Sequence, residues 1–205
     1  MSDIINILRL IAEENGQRIE NGTWNVQRGV ENQNNMLWGN HGADMLNGDA
    51  LGDWLVGGGG NDFLIGDRSD DVGGPDFLFG GKGHDIIDGD AGDDFLYGGS
   101  GTDILTGDMG RDYLTGGSGA DAFSFDLKKG EAMGDVISDF NYDEGDVIMV
   151  DDKSLILDIY NSDTNPSTVY IFVADSTTVW NYIEVLNADA SQVESSIIEE
   201  GAVFI

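Results

Sequence analysis

Nine aspartates recur at a spacing that only a repeat produces: Asp44, Asp53, Asp62, Asp76, Asp85, Asp94, Asp103, Asp112 and Asp121. Reading from Gly39, nonapeptides follow one another as GNHGADMLN, GDALGDWLV, GGGGNDFLI, an interrupted copy, GGKGHDIID, GDAGDDFLY, GGSGTDILT, GDMGRDYLT and GGSGADAFS. The interrupted copy runs from Gly66 to Phe79 and holds about five extra residues near Arg68 to Val72. Position six is always Asp, and position eight is always large and apolar: Leu46, Leu55, Leu64, Leu78, Ile87, Leu96, Leu105, Leu114 and Phe123. Between Gly39 and Asp126 there are 18 Asp and no Glu, while all 10 Glu lie outside. A merely solvated acidic face would mix the two acids, so the strict use of the shorter one points to a geometric demand. Carboxylates placed so regularly suit a hard divalent cation, which accepts 6–8 oxygens.

Other chemistries are poorly served. His41 and His84 fall at variable loop positions and read as surface residues. There is no HExxH helix, GxSxG elbow or P-loop, no EF-hand spacing, and no cysteine for thiolate metal sites or disulfides. The formal charge of -30 disfavours nucleic acid and makes a compact state self-repelling unless counter-charge is supplied. No apolar run approaches the roughly 18 residues of a membrane span. These features predict a noncatalytic protein.

The elements that must position these aspartates follow from the nonapeptide. Glycine-rich positions permit positive φ and close backbone approach, so six residues can form a turn. The remaining three form a short strand whose middle residue points inward and whose neighbours point outward. Two nonapeptides make one coil, so each repeat stacks on the repeat two further on. Coils about 4.7–4.9 Å apart bring position-six carboxylates close enough to repel by roughly 3 kcal/mol at an effective dielectric of 20. A shared divalent cation turns that repulsion into attraction.

The pattern resembles the GGxGxDxUx nonapeptide of RTX proteins, the hemolysin-type calcium-binding repeat family, a Ca²⁺-binding parallel β-helix repeat. The segment GDVISDFNYDEGDVIMVDD is similar, more loosely, to the stretch that follows such repeats. The resemblance implies an all-β fold with a right-handed parallel β-roll over 39–125; residues 1–38, which resemble no known family, read from their own pattern as a short N-terminal helical cap, and the short apolar runs over 126–205 read as a β-rich cap. The resemblance also implies that each ion takes Asp oxygens from two stacked loops and carbonyls from the loops' first four residues. The expected pairs are Asp44 with Asp62, Asp62 with Asp85, Asp85 with Asp103 and Asp103 with Asp121 on one edge. The other edge pairs Asp53 with Asp76, Asp76 with Asp94 and Asp94 with Asp112, giving about seven Ca²⁺ sites. Carbonyls are expected from Gly39, Asn40 and Gly42, from Gly57, Gly58, Gly59 and Gly60, and from Gly80, Gly81, Lys82 and Gly83. Further along they come from Gly89, Asp90, Ala91 and Gly92, from Gly98, Gly99, Ser100 and Gly101, from Gly107, Asp108, Met109 and Gly110, and from Gly116 and Ser118. Metal binding should then be coupled to folding.

Departures from the pattern carry expectations of their own. Leu51 stands where the fourth-position Gly belongs, with Gly52 after it, and the insertion before Gly73 should disturb the stack around Asp53 and Asp76. Asp49, Asp67, Asp90 and Asp108 occupy position two on one edge only. They read as solvated loop acids, with direct ligation as the alternative; Asp67, Asp70 and Asp71 could hold a separate ion. Positions seven and nine should face outward, yet one sheet carries Trp54, Phe77, Phe95 and Tyr113, then Val56, Phe79, Tyr97 and Thr115. The other has Met45, Phe63, Ile86, Ile104 and Ala122 at position seven. So large an apolar face needs a cover: either the chain's own N-terminal helix and C-terminal strands, or a second copy or polysaccharide against Trp54, Phe77, Phe95 and Tyr113. Ordered Thr rows for an ice-binding face are missing.

In the flanks, Ile4, Ile5, Ile7, Leu8 and Ile11 form a helical face that Gly16 would stop, and Asn21-Gly22 suits a hairpin turn. The start at Met1 with its own helix favours a complete small protein. No Sec-type signal peptide is evident. The resemblance implies type I secretion to the extracellular space through an uncleaved C-terminal signal, for which Glu199, Glu200 and the ending AVFI are candidates. Three roles fit: a calcium-dependent secreted binding or matrix protein, a noncatalytic module of an exported enzyme, or, more weakly, a membrane-acting toxin fragment.

Overall fold

The computed structural model describes residues 25–30, 33–67, 73–127, 133–174 and 181–199. The expected N-terminal helix, the Asn21-Gly22 turn, the insertion residues Asp70 and Asp71, and the terminal Glu200 and AVFI lie outside these residues.

The strands alternate between two sheets. An 8-stranded sheet contains β1 (Asn25–Arg28), β3 (Asp44–Asp49), β5 (Phe63–Asp67), β7 (Ile86–Asp88), β9 (Ile104–Thr106), β11 (Ala122–Phe125), β13 (Val147–Val150) and β17 (Ile197–Glu199), in that order. A 9-stranded sheet runs β2 (Met36–Trp38), β4 (Trp54–Gly59), β6 (Phe77–Lys82), β8 (Phe95–Ser100), β10 (Tyr113–Ser118), β12 (Met133–Ile137) and β16 (Asn181–Leu186), then β15 (Thr168–Val173) and β14 (Ile156–Asn161). Pairing is parallel throughout the repeats, with Met45 beside Phe63, Phe63 beside Ile86, and Phe77 beside Phe95. That is the stacking of each nonapeptide on the second one after it, so the chain forms an all-β, parallel β-roll.

Position eight supplies the core. Leu46, Leu55, Leu64, Leu78, Ile87, Leu105, Leu114 and Phe123 are fully buried, and Leu96 nearly so. Ile137 and Ile148 continue the two columns beyond the last nonapeptide. One inward side chain per short strand makes a core only two residues wide. Such a core offers little apolar burial for each residue whose backbone must be ordered.

Both sheets continue past Phe125. β12 and β13 each add one more parallel strand, β17 ends the smaller sheet, and β14–β16 extend the larger one as an antiparallel meander. A short helix, α1 (Ala190–Ser196), is capped by Asp189, whose side chain accepts from Ser191 N–H. Its Val193 packs into the core.

The insertion does not disturb the stack, contrary to the sequence expectation. Trp54 stays in register with Phe77, and Phe77 with Phe95. Extra residues placed between positions two and three of a turn lengthen the turn alone, and the register resumes at Gly73. Leu51 likewise does not hand its role to Gly52: it takes the left-handed position-four conformation itself, at φ +71°.

Nor do the C-terminal strands cover the aromatic face. They join the sheet edge to edge, so they lie beside it. Among the described residues the face is open: Trp54, Phe95, Tyr97 and Tyr113 are 40–47% exposed. Trp54 and Phe77 ring centroids lie 4.8 Å apart, and Phe77 and Phe95 are stacked at 5.0 Å. On the other sheet Met45 and Phe63, with Ile65, are buried and form a small separate cluster with Val26 and Ile86.

Candidate metal centres on two aspartate ladders

Each position-six aspartate enters its strand at the end of a glycine turn, and its backbone N–H meets the carboxylate of the next coil. On the edge entering the smaller sheet, Asp44 N–H donates to Asp62 Oδ1 at 2.8 Å, Asp62 to Asp85 at 2.7 Å, Asp85 to Asp103 at 2.8 Å and Asp103 to Asp121 at 2.9 Å. On the opposite edge Asp53 donates to Asp76 at 2.6 Å, Asp76 to Asp94 at 2.8 Å and Asp94 to Asp112 at 2.9 Å. All seven pairs expected from the repeat are therefore neighbours in space.

The ladders are longer than the repeats. Asp121 N–H donates to Asp146 Oδ1 and Asp112 N–H to Asp135 Oδ1, both at 2.9 Å. At the other end, Asn35 donates to Asp53 Oδ1 through its backbone N–H and through Nδ2. Gly-Asp-Val-Ile occurs twice, at 134–137 and 145–148, and repeats the Asp-x-apolar signature. The spacings of 23 and 25 residues from Asp112 and Asp121 hid that phase. Asn35-Met36-Leu37 is the same signature with Asn for Asp.

One oxygen per carboxylate is consumed by the ladder. The other, Oδ2, is buried without a hydrogen-bond partner in Asp53, Asp62, Asp76, Asp85, Asp94, Asp103, Asp112 and Asp121. Buried carboxylate oxygens are normally satisfied, and eight orphans in register demand an explanation. The ends of the first ladder differ. Asp44 Oδ2 accepts from Asn40 N–H at 2.6 Å and its Oδ1 from Asn40 Nδ2 at 3.0 Å, while Asp146 Oδ2 accepts from Asn141 N–H at 2.8 Å. The unsatisfied oxygens thus belong to the interior of the stack.

Electrostatics agree. Burial pushes the Asp76 and Asp94 carboxyls up to about 9, Asp85 and Asp112 to about 7, and Asp53, Asp62, Asp121 and Asp146 to about 6. The backbone N–H bonds oppose this only in part, and neighbouring aspartates add to it. A carboxylate so placed takes up either a proton or a cation. The donors are oxygens, which matches Ca²⁺ rather than a thiolate- or imidazole-seeking metal.

Position-one glycine makes room for this arrangement. A Cβ at Gly98 would stand 2.5 Å from Asp103 Oδ2 and 2.6 Å from the Gly116 carbonyl oxygen of the next coil. Any side chain there would fill the space in front of the orphaned oxygen. Positions two and four take positive φ, as at Gly81 (+112°) and Gly83 (+125°). In the turns, position-three N–H of one coil meets the position-two carbonyl of the coil before: Gly59 N–H donates to the Asn40 oxygen and Met109 N–H to that of Asp90, both at 2.8 Å. The carbonyls of Lys82, Ser100, Ser118 and Met109 accept from position-four N–H groups of the preceding coil.

Position five forms an outer ladder. His84 N–H donates to Asn61 Oδ1 at 3.0 Å, Thr102 N–H to His84 Nδ1 at 2.8 Å, and Arg111 N–H to Asp93 Oδ1 at 3.0 Å. His84 is thereby a structural acceptor in a turn, and His41 is exposed. The stack of turns is closed by carboxylates the sequence reading did not single out. Asp139 accepts from Gly116 and Gly117 N–H at 2.9 and 2.8 Å, and Glu144 from Gly119 N–H at 3.0 Å.

The position-two aspartates are not the solvated loop acids expected. Asp67 and Asp90 are fully buried and Asp49 nearly so, with Asp49 paired to Arg28 at 3.1 Å. Asp49, Asp90 and Asp108 hold a left-handed backbone, and their charges help to raise the carboxyls of Asp53, Asp94 and Asp112 in the neighbouring ladder.

The comparisons with known proteins agree with this geometry. Residues 31–51, 47–72, 73–105 and 91–123 match the family model of the RTX calcium-binding nonapeptide repeat. Among solved structures the chain is similar to the AlgE6R3 subunit of the mannuronan C5-epimerase from Azotobacter vinelandii. The two are 29% identical with a TM-score of 0.51 over 66% of this chain and 84% of that one. No curated protein matches the sequence.

Proposed function

From a chain that belongs, through residues 31–123, to the RTX calcium-binding repeat proteins, we propose a secreted, noncatalytic protein whose roll folds on taking up Ca²⁺ and whose aromatic sheet face binds an extracellular polysaccharide. The observation that carries the calcium part is the set of eight buried Oδ2 atoms with no hydrogen-bond partner. Bound Ca²⁺ would supply the positive charge that the stacked carboxylates lack. The chain's own contribution is positional: ladder bonds hold each Oδ1, position-one glycines clear the space at Oδ2, and the turns present backbone carbonyls beside it. The interior aspartates from Asp53 to Asp121 are the proposed ligands, together with the glycine-loop carbonyls named above.

Export by a type I system is supported by the match to the repeat family. The polysaccharide reading is supported by the open row Trp54, Phe77, Phe95 and Tyr113, whose successive rings lie 4.8, 5.0 and 6.1 Å apart. Flat rings exposed in series suit stacking against sugar faces. The similar solved structure is a subunit of an enzyme acting on mannuronan, so the second reading is a noncatalytic module of an exported enzyme.

The test is a Ca²⁺ titration of the full chain by far-UV circular dichroism, followed by affinity electrophoresis in mannuronan gels. Order gained with Ca²⁺, and retardation only in the Ca²⁺-loaded state, are expected. A chain already ordered in chelator would overturn the coupling, and unretarded migration of the loaded chain would overturn the polysaccharide reading.

A further inference from the structure

Three departures from the repeat pattern stand together on the edge that enters the larger sheet. Leu51 occupies position four, which Gly92 and Gly110 hold further along the same edge, and keeps a left-handed backbone at φ +71°. Pro75 occupies position five, which belongs to Asp93 and Arg111 in the later coils. Asn34 and Asn35 take positions five and six in the first coil. The turn does not need the Leu51 side chain, because glycine builds it without the cost of a left-handed side chain. The core does not need it either, since Leu51 is 43% exposed.

These residues share a cleft of about 600 Å³ at the head of the aromatic row. Leu51, Pro75, Asn34 and Asn35 reach it from the turns, and Trp54, Phe77 and Met36 from the strands. The Trp54 and Phe77 ring centroids are 4.8 Å apart, and Met36 pairs with Trp54 from the next strand. The volume lies within the range of small-ligand sites. None of the residues that line the cleft is charged, although the chain carries a formal net charge of -30. An exposed indole, a second ring beside it and the exposed Asn34 amide suit a pyranose. Its C–H face lies on the rings and its hydroxyls meet the amide. A carboxylate in the cleft would find no cation to pair with, and burying it unpaired is costly.

We propose that this cleft holds one uncharged sugar unit of the polysaccharide carried by the aromatic row, its face on Trp54 and its edge against Leu51 and Pro75. The site rests on the polysaccharide reading above and narrows it to chains that present a neutral residue. Leu51 is then kept in a strained turn for its side chain, as a specificity-determining residue.

The experiment is isothermal titration calorimetry of the full chain in saturating Ca²⁺ with two probes. One is mannuronan oligosaccharides; the other is the same oligosaccharides with their carboxylates reduced to alcohols. The unaltered chain is expected to bind the reduced probe more tightly. Leu51→Gly should weaken that binding about tenfold, the scale for apolar groups missing from a pocket, while its midpoint in urea rises. Stability gained together with affinity lost is an outcome that a merely structural Leu51 would not give. Should Leu51→Gly fail to fold, Pro75→Ala, which leaves the left-handed turn alone, decides by the same loss of affinity. Unchanged affinity in Leu51→Gly, with binding weakened in Phe95→Ala, would overturn the cleft and leave the row as the binding surface. Tighter binding of the charged probe would overturn the neutral sugar. No binding of either probe by the unaltered chain would overturn the polysaccharide reading itself, and a dimer that Leu51→Gly dissolves would give the cleft to a second copy of the chain.

Discussion

Asp94 and Asp112 are joined in series: the Asp94 N–H donates to Asp112 Oδ1 at 2.9 Å, and Asp112 Oδ2 stays buried with no hydrogen-bond partner. The first oxygen serves the fold, and the second is the proposed ligand of the ion. Asp112→Asn separates the two roles, because the amide keeps an oxygen for Asp94 N–H but loses the charge. In chelator the variant should be more ordered than the unaltered chain, since a buried charge has been removed. With Ca²⁺ the order reverses, and the midpoint of the folding titration should rise about tenfold or more. Circular dichroism against free Ca²⁺ reads both effects; a midpoint that does not move would remove Asp112 from the ligand set.

The pH response of the metal-free chain follows from burial. The carboxyls of Asp76 and Asp94 are pushed up to about 9, Asp67 to about 8, and Asp85 and Asp112 to about 7, against an ordinary value of 3.8. A folded-state value above the unfolded one stabilises the roll relative to the unfolded chain at low pH. That advantage is complete below about 4 and is lost as pH rises through 7 to 9. In chelator, lowering the pH from 9 should therefore restore β-structure well before pH 4. In Ca²⁺ the roll should stay folded at neutral pH, because metal replaces the protons. A metal-free chain equally disordered at pH 9 and pH 5 would contradict the buried ladder.

Leu51 tests the strain at a turn that lacks glycine at position four. It holds φ +71° with 43% of its surface exposed, so it contributes little packing where it stands. A left-handed non-glycine residue costs about 1–2 kcal/mol. Leu51→Gly should accordingly raise stability by about 1 kcal/mol in saturating Ca²⁺, seen as a higher midpoint in urea. A lower midpoint would show that Leu51 packs on something beyond its own turn.

How far the fold could be read in advance depended on phase. Where Asp and the apolar residue recur every nine residues, from Asp44 to Asp121, the coil, the stacking partner and the core residue all follow from the spacing. Where a turn lengthens, counting fails although the physics is unchanged. Asp135 and Asp146 complete the ladders by the same N–H to Oδ1 bond as the regular repeats, but their turns are 5 and 7 residues longer than an 18-residue coil would allow, from separations of 23 and 25. Asn35 was hidden by chemistry instead, since it donates to Asp53 where an aspartate would be expected. The burial of Asp67 and Asp90 could not be read locally, because composition makes any loop acid look solvated. Their depth comes from stacking with the coils on either side.

Asp139 closes the turn stack, and its removal should loosen that end. It accepts from two N–H groups, those of Gly116 and Gly117, which have no further nonapeptide turn to meet. Hydrogen bonds to a charged group contribute about 1.5–3 kcal/mol. Asp139→Ala should lower the stability of the Ca²⁺-loaded roll by about 2 kcal/mol and raise hydrogen exchange at Gly116 and Gly117 first. Uniform exchange across the roll, with no change at those amides, would show that another group closes the stack.

The aromatic face separates folding from binding. Phe95 lies in the middle of the row, stacked on Phe77 at 5.0 Å with an angle of 3° between the rings, and is 47% exposed. Its inward neighbour Leu96 supplies the core at that strand, so the fold does not depend on the Phe95 ring. Phe95→Ala should leave the Ca²⁺ midpoint nearly unchanged. If the row is a binding surface, the same change removes a central contact, for which losses of 2 kcal/mol or more are usual, or about thirtyfold in affinity. Val56, at position nine of the same face, offers a control: Val56→Ala removes apolar area but no ring, and mannuronan retardation should survive it. Equal retardation of the unaltered chain and Phe95→Ala would place the binding surface elsewhere, whereas a dimer lost in Phe95→Ala would mark the row as a contact between two copies of the chain.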